Sequence, residues 1–278
     1  MKIEKIFDAW GKKLYVDSYK DFMNIDRDTL YDMLIQNNLV VIKGLPPDLT
    51  DEEFYALGNK FGNVWTQEDY RKPFITQGVD PTINKKTLTP VSYFKTDNNM
   101  FKDTYMGYHA DMAHIKDMSY PGRALYMVNN TEDGSGDTTW LNLEHGWQQM
   151  TQEERDRYVD CEVIFQDFYV PGNRMEKFYF TKTNPKTGKI SPRINCFARN
   201  NDKRAWISHV VQDGVELTFD QTGKLIIQLY QLLESKKDTL YSHVWTPGDI
   251  IVYDNWFNVH KREKVNGKRL LKRLTFNF

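Results

Sequence analysis

The stretch Tyr108-His109-Ala110-Asp111-Met112 constrains this chain more than any other. In an extended strand, side chains alternate between faces, so His109 and Asp111 point to the same side. An imidazole and a carboxylate on one face make two ligands of a metal site. A third must come from elsewhere, and His260, at the end of Asp254-Asn255-Trp256-Phe257-Asn258-Val259-His260, is the candidate. Two neutral imidazoles and one carboxylate form the facial triad of non-heme Fe(II) sites, which leaves the opposite coordination positions open. The two stretches lie far apart in the chain and must meet in the fold.

The totals narrow what surrounds such a site. The 278 residues fit a single β-rich domain of the larger kind. Aromatic residues make up 14%, with 16 Tyr, 16 Phe and 7 Trp, which suits a large β-rich core. The 37 Lys and Arg against 38 Asp and Glu leave a net charge of −1, so no basic excess points to nucleic acid. No apolar window is long enough to span a membrane, and Met1-Lys2-Ile3-Glu4-Lys5-Ile6 lacks the apolar run of a signal peptide. A cytoplasmic protein is expected, with Cys161 and Cys196 as two buried thiols rather than a disulfide. Homo-oligomerisation is left open.

Local patterns place the elements. Asp26-Arg27-Asp28-Thr29 opens a helix whose Leu30, Met33 and Leu34 share one face, and Asn37-Asn38 stops it. Leu39-Val40-Val41-Ile42-Lys43 reads as a strand. Thr50 with Glu53 is a capping box, predicting a helix to about Phe61-Gly62. Residues 63–108 mix Pro73, Pro81 and Pro90 with many aromatics and read as a lid or substrate segment. Strands follow over Arg123–Asn130, from Asp137, over Cys161–Val170 and over Phe178–Lys182. A single helix is expected over Leu143–Arg157, and another through Leu225, Ile226, Leu229, Leu232 and Leu233. Asn184-Pro185-Lys186-Thr187-Gly188 predicts a hairpin turn.

Asn266-Gly267 is the strongest short hairpin signal in the chain. As a two-residue turn it sets His260 opposite Arg273 and Lys264 opposite Arg269. Arg269 and Arg273, four residues apart, would then face the same side as His260. A metal ligand beside two guanidiniums suits a metal-bound organic anion, because Arg grips a carboxylate through a planar fork. Three lysines nearby, Lys264, Lys268 and Lys272, also fit a plain solvated strand face.

Taken in order, several pieces resemble the TauD/TfdA family of Fe(II)- and 2-oxoglutarate-dependent oxygenases, the taurine dioxygenase-like enzymes. They are Leu39-Val40-Val41-Ile42-Lys43-Gly44, Lys60-Phe61-Gly62, Tyr108-His109-Ala110-Asp111, Gly136-Asp137-Thr138, Trp245-Thr246-Pro247-Gly248-Asp249, Asp254-Asn255, His260, Arg269 and Arg273. The resemblance implies a mainly β fold with outer helices, a double-stranded β-helix (jelly roll, cupin-like). It implies iron on His109, Asp111 and His260, with 2-oxoglutarate and O2 as cosubstrates. Thr138 matches the family threonine that hydrogen-bonds 2-oxoglutarate, and Arg269 the arginine that pairs with its distal carboxylate. Arg273 matches a position that often reaches an anionic group of the substrate and in some members serves the cosubstrate. The gap between His260 and Arg269 is shorter than in many relatives.

The implied reaction is hydroxylation of an unactivated C–H bond in a small anionic metabolite (an amino acid, carboxylate or sulfonate), with release of succinate and CO2. The related halogenases carry Gly or Ala where this chain has Asp111. The family also contains desaturases and isonitrile-forming oxidative decarboxylases, whose C-terminal pattern resembles His260-Lys261-Arg262-Glu263. Tyr108, Tyr93 and Phe94, within or beside the lid segment, are expected to line the substrate. Two other classes are compatible with parts of the pattern. A Zn hydrolase can use two His and one Asp, but no separate general base stands at a telling spacing. A non-catalytic cupin-like binding protein would not need the triad, Thr138 and both arginines together. Of the other histidines, His114 has the wrong strand parity, His145 opens a helix, and His243 reads as a satisfied core or edge residue.

Overall fold

Two mainly antiparallel sheets lie face to face, and each is backed by helices or a further sheet. A computed structural model describes residues 1–66, 68–69, 91–95, 106–111, 121–166, 174–184, 187–195 and 207–277. The major sheet runs β1 (Lys2–Lys5), β2 (Lys12–Tyr15), β3 (Leu39–Lys43), β16 (Ile250–Asp254), β7 (Pro121–Asn129), β18 (Leu270–Asn277) and β4 (Asn63–Val64), with β5 (Ser92–Lys95) also paired to β18. Every pairing in it is antiparallel except β2 with β3. The minor sheet runs β15 (Leu240–His243), β8 (Thr138–Asn142), β17 (Asn258–Arg262) and β6 (Met106–His109). A third sheet, of β10 (Arg174–Tyr179), β9 (Glu162–Gln166), β13 (Ile207–Gln212) and β14 (Val215–Glu216), lies outside the minor sheet. A small hairpin joins β11 (Thr181–Thr183) to β12 (Ile190–Pro192).

Strand alternation divides the apolar residues into three layers. On the outer face of the major sheet, Val40, Ile42, Ala124, Tyr126, Val252 and Leu274 meet Phe22, Leu30, Leu34, Phe54 and Leu57 from the helices Tyr19–Met23, Arg27–Asn37 and Asp51–Gly58. Between the sheets, Leu39, Val41, Leu125, Met127, Ile251 and Tyr253 meet Trp140 and Tyr241. Outside the minor sheet, Leu141 and Val259 meet Ile226, Leu229 and Leu233 of the helix Phe219–Ser235. Each fully buried side chain of this kind contributes about 1.5–3 kcal/mol.

The helix signals hold with adjusted ends. Asp26 caps Arg27–Asn37, and Asn38 ends it in the left-handed conformation at φ 61°. The Thr50–Glu53 capping box is present, but its helix ends at Gly58. The expected single helix from Leu143 is two, Leu143–Gln149 and Gln152–Asp156. A second capping box, Thr151 with Glu154, starts the second and so breaks the run.

The Asn266-Gly267 hairpin does not form. β17 pairs with β8 and β6 in the minor sheet, and β18 pairs with β7, β4 and β5 in the major sheet. The chain crosses between sheets over residues 263–269. Asn266 serves that crossing, its N–H donating to Ser135 Oγ at 2.8 Å, while Val265 is fully buried beside Gly136. The lid reading falls mostly on residues 70–90 and 96–105, which lie outside the described residues. Cys161 is a buried free thiol, whereas Cys196 is outside the described residues. Among the described residues, no helix is long and apolar enough to cross a membrane.

Candidate active site

His260 lies directly opposite His109 on one side and Trp140 on the other, all three on the inner face of the minor sheet. The two imidazole centroids are 4.2 Å apart. Asp111 follows the end of β6, and one ligand atom from each of His109, Asp111 and His260 lies within 4.8 Å of the others. His109 Nδ1 is 2.8 Å from the Gly107 carbonyl, which leaves Nε2 for a metal. His260 Nδ1 is buried and has no hydrogen-bond partner among the described residues.

The charges favour a metal cation. Burial lowers the His109 pKa, and Asp111 opposes that only in part. Burial, with His109 beside it, takes His260 well below the ordinary imidazole range. Both are therefore neutral at physiological pH, the form that ligates. Burial pushes the Asp111 carboxyl up, but Arg273 and Arg123 outweigh it and hold the group well below the usual carboxylate range. Arg273 donates to Asp111 Oδ2 at 2.7 Å, and Arg123 Nε lies 3.5 Å from the same oxygen.

Two side-chain amides fix the backbone that carries Asp111. Asn195 Oδ1 accepts from the Ala110 N–H at 3.1 Å, and its Nδ2 donates to the Ala110 carbonyl at 3.0 Å. Asn255 does the same for Asp111, accepting at 3.2 Å and donating at 2.8 Å. Among the described residues β6 is the edge of its sheet, so the amides stand where a further strand would satisfy these groups.

A second cluster sits beside the triad. Thr138 is on the inner face of β8, opposite Arg262 of β17 and His243 of β15. Trp245 Nε1 donates to Thr138 Oγ1 at 2.9 Å. The Arg269 guanidinium carbon lies 5.9 Å from the centre of the Trp245 ring, and its Nη1 donates to the Gly136 carbonyl at 2.5 Å. Burial, with Arg262 nearby, lowers the Arg269 pKa to about 10, so it remains cationic. Gly136 has φ +93°, and a Cβ there would stand 2.6 Å from Arg269 Nη1. The Gly136-Asp137-Thr138 motif thus has a physical reason: glycine admits the guanidinium and threonine faces the cavity.

His109, Asp111, His260, Thr138, Arg269 and Arg273 all come together between the sheets. Phe94 joins them, with the Arg273 guanidinium carbon 4.7 Å from its ring centre. Tyr108 and Tyr93, expected to line the substrate, face elsewhere. Tyr108 alternates with His109 and so points outward, where it stacks on Tyr230 at 5.1 Å and donates to Glu234 at 2.8 Å. Tyr93 alternates with Phe94 and lies on the helix side of the major sheet, donating to Asp51 beside Lys272. Arg123, Asn195 and Trp245 join the site without a motif that marks them as ligand or substrate contacts. Arg123 left one readable signal, a cation in strand parity with the buried Leu125.

Comparison with known proteins agrees with this geometry. The family model described as "Taurine catabolism dioxygenase TauD, TfdA family" matches residues 2–275. The chain belongs to the TauD/TfdA family. It is therefore an oxidoreductase, a 2-oxoglutarate-dependent dioxygenase with Fe(II) as its metal. It is 24% identical over 227 residues to pentalenolactone F synthase of Streptomyces arenae, covering 76% of this chain and 73% of that one. It is 20% identical over 261 residues to an alpha-ketoglutarate-dependent sulfonate dioxygenase of Saccharomyces cerevisiae, covering 92% of this chain and 61% of the yeast protein. The solved structure of AAD-2 with Mn(II) and N-oxalylglycine superposes at TM-score 0.73 with 13% identity, covering 99% of this chain and 96% of that one. The fold is the double-stranded β-helix. The donor set fits Fe(II): two neutral imidazoles and one ionised carboxylate whose ligand atoms converge.

Proposed function

We propose that this dioxygenase hydroxylates an unactivated C–H bond of a small anionic metabolite, an amino acid, another carboxylate or a sulfonate. His109, Asp111 and His260 would hold the iron. Bound iron with 2-oxoglutarate supplies the oxidising chemistry, and succinate and CO2 are released. Arg269 and Thr138 would hold 2-oxoglutarate, the guanidinium pairing with its distal carboxylate.

The observation that carries the substrate reading is Arg273. It reaches across from the major sheet to Asp111, with Phe94 against its guanidinium. A guanidinium offers a planar fork whose geometry matches the oxygens of a carboxylate or sulfonate. An anionic group of the substrate there would lie beside the metal, held in orientation by charge-assisted bonds, while Phe94 covers apolar atoms. The yeast relative named for sulfonates is consistent with an anion at this position.

A panel of acids, each paired with its neutral amide, tests the reading. Succinate release by the iron-loaded enzyme is measured for each. Acids should turn over and amides should not, and Arg273→Ala should abolish the distinction. Equal turnover of acid and amide by the unaltered enzyme would overturn the substrate class and return Arg273 to the cosubstrate.

A further inference from the structure

Trp245 touches both residues assigned above to 2-oxoglutarate. An indole N–H can only donate, and it points at Thr138 Oγ1 across 2.9 Å. Oγ1 therefore acts as acceptor in that contact, and the hydroxyl keeps its own hydrogen to give. Among the described residues no acceptor for it stands within hydrogen-bond distance, and Thr138 is only 3% exposed. A buried donor of this kind calls for a partner that arrives with the ligand. The other side of the relationship is the ring itself, whose centre is 5.9 Å from the Arg269 guanidinium carbon, within cation–π range.

Trp245 is in turn held on several sides. His243 meets it edge-on at 4.8 Å, and Asn130 Nδ2 donates to its carbonyl at 2.9 Å. His243 is braced by Asp249 at 2.9 Å, and Asp249 by Lys43 at 2.5 Å. The indole is thus packed against a histidine that is itself fixed by an ion-paired carboxylate.

We propose that Trp245 is a positioning residue for the cosubstrate. Its N–H occupies the lone-pair side of Thr138 and commits that hydroxyl as a donor into the cavity, while its ring sets the height of Arg269. The cosubstrate then meets a donor and a cation already aimed. This inference rests on the assignment of Thr138 and Arg269 to 2-oxoglutarate.

The test is calorimetric binding of 2-oxoglutarate to the Mn(II)-loaded protein, which needs no turnover. Trp245→Phe keeps a ring and removes the N–H. It should weaken 2-oxoglutarate roughly ten-fold, with the Mn(II) dissociation constant unchanged. In a Thr138→Val background, which has no hydroxyl to direct, Trp245→Phe should lose most of that effect. Wild-type affinity in Trp245→Phe, or fully additive losses in the double variant, would overturn the proposal. A second variant leaves Trp245 in place. Thr138→Ser should bind 2-oxoglutarate within about three-fold of wild type, because the indole still fixes the freer serine rotamer. A loss as large as that of Thr138→Val would count against the proposal even if Trp245→Phe does not fold. If Thr138→Val itself binds 2-oxoglutarate normally, the cosubstrate assignment fails and this inference with it. Weakening by Thr138→Val without weakening by Trp245→Phe removes the inference alone.

Discussion

Arg273 and Asp111 bridge the two sheets: the guanidinium of a major-sheet strand donates across 2.7 Å to the carboxylate that follows a minor-sheet strand. Their side chains are 22% and 12% exposed, so solvent screens the pair only weakly. The same carboxylate faces Arg123, which is fully buried. Asp111 is thus the counter-charge of two arginines as well as the proposed carboxylate ligand of the metal.

His109→Ala, Asp111→Ala and His260→Ala should each abolish Mn(II) binding and succinate formation. They should differ in stability. Removing Asp111 strips the carboxylate that both guanidiniums face, a loss of about 3–5 kcal/mol by analogy with broken buried pairs. The histidine variants lose no charge and should cost less. Urea denaturation of the metal-free proteins checks the order, and equal midpoints for all three variants would contradict it.

His109 and Asp111 are legible as neighbours because they are close in the chain, whereas His260 joins them through the pairing of β17 with β6. Alternation sets His109 inward and Tyr108 outward within β6, whereas Asp111 follows the end of that strand and reaches His109 from the turn. Tyr93 fell to the same alternation, since its neighbour Phe94 faces the cavity. The crossing near Asn266 was not legible. Turn chemistry describes two residues, but which sheet receives the next strand is set by tertiary burial, here of Val265 against Gly136. The hairpin reading still brought His260, Arg269 and Arg273 to one cavity, because the inner faces of the two sheets oppose each other. Asn195 gave no signal at all. Its role is to satisfy a backbone distant in sequence, and nothing around it in the chain marks that.

Arg269→Ala should raise the KM for 2-oxoglutarate by an amount equivalent to about 1.5–3 kcal/mol, the usual range for hydrogen bonds to a charged group. Gly136→Ala should move in the same direction by displacing the guanidinium rather than removing it. Its Cβ would stand 2.6 Å from Arg269 Nη1, and φ +93° adds backbone strain. Steady-state kinetics at saturating substrate provide the measurement. A Gly136→Ala enzyme with an unchanged 2-oxoglutarate KM would show that Arg269 need not sit against that carbonyl.

Asp254 predicts a pH effect on stability. Burial pushes its carboxyl up to about 7, against the Trp256 N–H that donates to it at 2.7 Å. An unfolded aspartate titrates near about 3.9. Between those values the folded chain binds more protons than the unfolded chain, so this group lowers stability as pH rises from about 4 to about 7. Asp254→Asn keeps the acceptor oxygen and cannot ionise. Its stability should fall less over that window than that of the wild type, with the largest advantage near about pH 8. Parallel stability–pH curves for the two proteins would refute the assignment.

The amide clamp on Ala110 and Asp111 yields the last prediction. Asn195 and Asn255 each make two hydrogen bonds to a backbone that has left its strand, and both side chains are buried. Loss of one amide leaves a backbone donor and acceptor without their partners, which costs about 1–3 kcal/mol for each buried group. That cost alone would appear only in folding stability. The Asp111 carboxylate is carried on this backbone, however, and a metal site tolerates little displacement of a ligand. Asn255→Ala should therefore weaken Mn(II) as well as lower the melting temperature, because it releases the residue that supplies the ligand. Asn195→Ala, acting one residue earlier, should show the same pair of effects with a smaller change in metal affinity. Mn(II) titration of both variants, done well below their melting temperatures, separates the two contributions. Wild-type metal affinity in a destabilised Asn255→Ala would reduce the clamp to a device for satisfying backbone groups.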